Sequence, residues 1–147
     1  MAASPEQLHS AFSYCLDFAK HMLEKCGEFL PFAAALTPSG EVKAIGAWTG
    51  EEHPAPAGLY QFLSSALRDE AASEKVIGSA VAVNVNIPAA YSPHWPDGIR
   101  IHLESNGYSR YVYVPYAITT SGLLRRKREV TLADPFAVEA GSEVFAS

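Results

Sequence analysis

The chain offers five histidines for acid–base or metal chemistry: His9, His21, His53, His94 and His102. Imidazole is the side chain that titrates near neutral pH and the commonest metal ligand. His9 and His21 fall on one predicted helix, but a spacing of twelve puts them on different faces, so they are not an i, i+4 metal pair. His53 follows Glu51 and Glu52, and His94 lies in a second loop. Loops can bring distant ligands together, which makes His53 and His94 the weak candidates for a metal site. No spacing here matches a known ligand pattern, so the blander reading of Glu51-Glu52-His53-Pro54 is a solvated loop. Gly-x-Ser-x-Gly and Ser-x-x-Lys are both missing, as are a P-loop and Gly-x-Gly-x-x-Gly. No catalytic residue is assigned, and no cofactor is expected. Glu28, Glu51, Glu52 and Glu104 are carboxylates that the sequence alone does not pair.

A second constellation comes from a turn. Ser105-Asn106-Gly107-Tyr108 reads as a two-residue type I′ hairpin turn, because Asn and Gly tolerate positive φ. That sets the register. Ile101 falls opposite Val112 and Ile99 opposite Val114 on the core face. On the other face His102 meets Tyr111 and Arg100 meets Tyr113. Tyr and Arg are enriched in interface hot spots, so Arg100, His102, Tyr111 and Tyr113 form the candidate interface: a dimer seam or a ligand floor. The competing reading is a wet sheet face with cross-strand aromatic pairs. Trp95, between Pro93 and Pro96, is a further exposed-aromatic candidate. Arg125, Arg126, Lys127 and Arg128 make a compact cationic patch, which also reads as a solvated strand.

These residues need elements to hold them. Ser4 is a good N-cap, Pro5 suits the first helical position and Gln7 completes a capping box. Leu8, Ala11, Phe12, Cys15, Leu16, Ala19, Met22, Leu23 and Cys26 recur as a helical stripe, and Gly27 stops it. Leu30 to Thr37 and Glu41 to Trp48 flank the turn Pro38-Ser39-Gly40. Both faces of the first strand are apolar, so it is central or covered on both sides. A second helix runs roughly from Ala57 to Ser73, with Leu59, Phe62, Leu63, Ala66, Leu67 and Ala71 on one side. Val76 to Ile87 alternates strictly in its second half and is the clearest strand. Leu123 to Leu132 suggests a sixth strand, and Val138 to Phe145 an edge strand or irregular tail. The expected fold class is α+β, one domain over residues 1–147. It has a mainly antiparallel sheet of five or six strands, two helices packed on one face, and the order α-β-β-α-β-β-β.

The 147 residues carry a formal net charge of -5, with 48% hydrophobic and 18% charged residues. That excludes a disordered or collagen-like chain. Acidity weighs against nucleic acid as a partner, since phosphate binding draws on positive potential. No secretory signal is recognisable, and no apolar run approaches the ~18 residues of a membrane span. Cys15 and Cys26 on one helix lie about 16 Å apart at ~1.5 Å per residue, too far to pair. They are expected to be reduced, buried thiols in a cytoplasmic protein.

Gly27-Glu28-Phe29-Leu30-Pro31-Phe32, Gly40-Glu41 and Gly50-Glu51-Glu52-His53-Pro54 give the chain its resemblance to a set of short bacterial proteins of unassigned function. The resemblance implies turn and packing signals and supplies no catalytic residue. In element order the chain is similar to roadblock and longin-type adaptor domains, and in part to small acidic type III secretion chaperones. The leading expectation is a non-enzymatic binding or adaptor domain that partners itself, as a homodimer, or another protein. The alternatives are a small metabolite- or metal-binding enzyme using loop histidines, and a secretion-chaperone-like or toxin-neutralising protein.

Overall fold

The computed structural model describes residues 2–45, 55–124 and 126–145. The chain runs α1 (Pro5–Cys26), β1 (Phe32–Leu36), β2 (Val42–Ile45), α2 (Pro56–Ala72), β3 (Gly78–Asn86), a short 3₁₀ turn (Ala89–Tyr91), β4 (Asp97–Ser105), β5 (Tyr108–Ser121), β6 (Lys127–Leu132) and β7 (Phe136–Glu139). The fold is α+β. The strands form one antiparallel sheet in the order β2-β1-β3-β4-β5-β6. β5 is long enough to carry two partners besides β4: its first half also pairs with β7, and its second half pairs with β6. The expected strand from Glu41 to Trp48 is seen as Val42–Ile45; Glu41 precedes it, and residues 46–48 lie outside the described residues.

Local chemistry accounts for the boundaries. Ser4 accepts the Gln7 amide and Gln7 returns a side-chain acceptor to the Ser4 N–H, a closed capping box that starts α1. Gly27, at φ +80°, ends α1 and donates its N–H to the Leu23 carbonyl. The β4–β5 hairpin has the expected register, with Ile101 opposite Val112 and His102 opposite Tyr111. The turn type differs. Only Gly107, at φ +78°, is left-handed; Asn106 is not, so the turn is not type I′. Positive φ at the second central residue alone is the type II requirement, and Gly107 meets it.

The two helices lie on opposite faces of the sheet, which corrects the expectation of a single helical layer. Leu8, Phe12, Cys15, Ala19 and Leu23 of α1 pack against Ala34, Ala80, Ala82 and Ile101. Leu59, Leu63 and Leu67 of α2 pack against Ala33, Ala35 and Val81. Successive strand residues point to opposite faces, so β1 and β3 are covered on both sides. This explains the apolar character of both faces of β1. Cys15 is sealed under α1, where burial pushes its thiol up to about 12. Cys26 is exposed at the end of the helix, so only one of the two thiols is buried as expected; both are free.

Candidate functional site

The second face of β4 carries the chemistry. Arg100, His102 and Glu104 alternate along the strand, so all three side chains project toward the α2 side. His102 and Glu104 are each only 1% exposed. An unpartnered buried carboxylate costs several kcal/mol, and Glu104 is fully partnered. Its Oε1 accepts from the Ser142 hydroxyl at 2.8 Å and the Glu143 N–H at 2.7 Å, and its Oε2 from the Val144 N–H at 2.9 Å. These bonds fasten the chain after β7 across the sheet. They also seat Val144 in the apolar cluster beneath α2.

His102 stands between two carboxylates. Its Nε2 lies 2.7 Å from the Ser109 hydroxyl and 3.9 Å from Glu104, and its Nδ1 faces Glu143 at 3.7 Å. With the imidazole proton on Nδ1, that proton points to the acid and Ser109 donates to Nε2. Burial lowers the His102 pKa and outweighs the opposing pull of Glu104 and Glu143. Glu143 also accepts from the Tyr60 hydroxyl. Burial and the Glu143 carboxylate together raise the Tyr60 pKa, so that hydroxyl stays a donor.

A hydroxyl, an imidazole and a carboxylate in sequence have the connectivity of a nucleophile, its base and an orienting acid. The surroundings argue against that use. Ser109 is 8% exposed, and the Gly141 carbonyl, 3.2 Å from its oxygen, competes with Nε2 for its single hydroxyl proton. The adjoining cleft is lined by Tyr60, Arg100 and Glu143, not by His102 or Ser109. The trio fastens the tail to the sheet.

Arg100 is the member that faces open space. Its guanidinium lies 4.3 Å from the Tyr111 ring centre and 5.6 Å from that of Tyr60, a cation–π arrangement on two sides. No carboxylate lies within salt-bridge distance of it among the described residues. It lines a cleft of about 580 Å³ whose other wall is the Tyr60, Ser64 and Arg68 stripe of α2. Spacings of four place these three on one helical side. Arg68 donates to the Glu143 carbonyl at 2.8 Å, which ties α2 to the tail. Ser64 is buried at 6% exposure, and its hydroxyl has no partner among the described residues.

The expected interface residues are therefore brought together but not left open. Tyr113 is buried under Tyr91 and Phe136, His102 lies beneath the tail, and only Arg100 and Tyr111 are half-buried. Trp95 is half-buried and packs edge-on against exposed His94 at 4.5 Å. His53 lies outside the described residues, and among those described no group of three His, Cys, Asp or Glu could hold a metal. Of the cationic patch, Arg125 lies outside the described residues, while Arg126 and Lys127 are exposed. Arg128 donates to the Lys25 carbonyl at 3.0 Å, a cation placed at the negative end of α1.

Ser109, Tyr60 and Glu143 escaped the sequence reading, and Glu104 was named there only as an unpaired carboxylate. Glu104 had a signal: Arg100, His102 and Glu104 are ionisable residues at i, i+2 and i+4 of a strand whose alternate residues are Ile and Leu. No helix among the described residues is long and apolar enough to cross a membrane. No protein-family model, curated protein or solved structure matches this chain.

Proposed function

We propose that this protein is a binding domain whose working site is the cleft between α2 and β4, and that its ligand is a small anion-bearing molecule. The observation that carries this reading is Arg100. A guanidinium oriented by two aromatic rings, facing a cleft and free of a carboxylate partner among the described residues, is prepared for an anionic group. Arg68 adds a second positive charge, against the single carboxylate of Glu143. The cleft is thus locally cationic in a chain of net charge -5. Its volume falls within the ~300–1,000 Å³ of small-molecule sites. Self-association through this face has less support, because the chain's own tail and aromatic side chains cover His102 and Tyr113. A cytoplasmic setting suits the exposed free thiol of Cys26.

Thermal unfolding at fixed ionic strength tests the site, with benzoate, citrate and inorganic phosphate as probes. At least one probe should raise the Tm of the wild-type chain by a few degrees through linkage. Arg100→Gln should lose the rise, whereas Arg110→Gln, which removes a guanidinium stacked on Tyr108 away from the cleft, should keep it. No rise with any probe, or an equal rise in Arg100→Gln, overturns the reading.

A further inference from the structure

A different part of the molecule carries a second site. Beyond the β5–β7 edge, Tyr91, Trp95, Phe136, His94 and Asp134 surround a cavity of about 420 Å³. We propose that this cavity binds a methylated ammonium group.

The first support is the preorganisation of the aromatic walls. Tyr91 ends the 3₁₀ turn, and its ring lies 5.6 Å from Tyr113 and 5.8 Å from Phe136. Tyr113 and Phe136 stack at 5.4 Å, because β7 pairs Phe136 directly opposite Tyr113. Tyr91 is nonetheless 44% exposed. Its ring is held by two others while much of its surface stays open to the cavity side. The loop bearing Trp95 is closed at its base by the Ile87 N–H donating to the Pro96 carbonyl at 2.7 Å. The segment bearing Asp134 is pinned by the Ala133 N–H donating to the Pro115 carbonyl at 2.9 Å. Rigid aromatic rings give binding area at little entropic cost.

The second support is charge. Ring faces are negative and attract cations, and clusters of them suit quaternary ammonium groups. Asp134 is exposed and pairs with no cation among the described residues, so its full negative charge stands at the rim. Lining of this kind selects a methylated cation over a plain ammonium. A methylated nitrogen has few or no N–H donors to satisfy and sheds little hydration, and its methyl groups fill apolar space beside Pro93 and Leu132. An anion would meet the repulsion of Asp134 instead, which separates this site from the Arg100 cleft.

Calorimetric titration of the full chain with choline and with its neutral isostere 3,3-dimethylbutanol tests the proposal. Choline should bind saturably, and the isostere roughly tenfold more weakly, the discrimination that a desolvated cation–π contact supplies. Asp134→Asn and Phe136→Leu should each weaken choline binding by about threefold to tenfold, with circular dichroism showing both variants folded. Arg110→Gln, on the opposite face of the sheet, should leave it unchanged. Phosphatidylcholine vesicles distinguish the source of the group. Vesicle binding without binding of free choline assigns it to a lipid headgroup, and the reverse assigns it to a soluble molecule. Absence of both, equal binding of the neutral isostere, or wild-type affinity in the Asp134 and Phe136 variants overturns the proposal.

Discussion

The two faces of the sheet solve the same packing problem with opposite chemistry. On the α1 face, Ala80, Ala82, Ile99, Ile101 and Leu103 meet Ala11, Cys15, Ala19 and Leu23, and nearly every contact is apolar. On the α2 face the apolar cluster is smaller, and β4 contributes Arg100, His102 and Glu104 in place of aliphatic residues. An apolar face needs only shape and area. A polar one needs a named partner for each buried atom, or the desolvation cost goes uncompensated. The partners come from α2, from β5 and from the chain after β7, so the second face is where distant segments are committed to one another. It is also where a guanidinium is left facing a cleft.

Breaking the α1 face should cost most. Leu23 is fully buried, so Leu23→Ala should lower unfolding free energy by about 3 kcal/mol through lost burial and an unfilled cavity. Glu104→Gln should cost roughly 2 kcal/mol, since an amide cannot accept all three bonds from Ser142, Glu143 and Val144. Urea denaturation measures both. Only the second should also raise hydrogen exchange at the Glu143 and Val144 amides, because it releases the tail and not the core. Equal exchange in the two variants would dissolve the distinction between the faces.

A smaller effect follows from His102. Its folded pKa lies below the ordinary 6.5, so as pH falls past about 6.5 the unfolded chain binds a proton that the folded chain does not. Stability therefore declines from about pH 6.5 toward the lowered folded value and levels off below it. His102→Gln should flatten the slope in that window. An unchanged slope would show that the buried imidazole is not responsible.

The thiols separate buried from exposed chemistry with the least disturbance to the fold. A disulfide reagent at neutral pH should titrate Cys26 in the native chain and reach Cys15 only on unfolding, because burial under α1 raises the Cys15 thiol to about 12. Reaction of both thiols in the native chain at comparable rates would mean that the α1 face opens readily.

Much of this arrangement was legible in the chain itself. Ser4, Pro5, Gln7 and Gly27 mark both ends of α1 through local bonds. The Asn106-Gly107 step marks the hairpin, and a two-residue loop leaves β4 and β5 one register, so the meeting of Arg100 with Tyr113 and His102 with Tyr111 could be read directly. The turn type could not, because the same dipeptide serves more than one backbone conformation. The placement of the helices could not either: α1 and α2 each have one apolar side, and either could cover either sheet face.

What the sequence determined by itself is therefore the two helices and the strands as far as β5, the antiparallel pairing of β4 with β5 and the residues that share each strand face. These depend on periodicity and on bonds that span a few positions. The seventh strand at Phe136–Glu139 went beyond the five or six expected. Tertiary structure alone decided that the helices lie on opposite faces, and that Glu104 is met by amides 39 and 40 residues away. It also decided that His102 is covered while Arg100 is left at the cleft. No local pattern encodes those outcomes, because a buried carboxylate takes whichever donors the folded chain brings within ~3 Å, and that supply is set only when the tail and α2 close over the sheet.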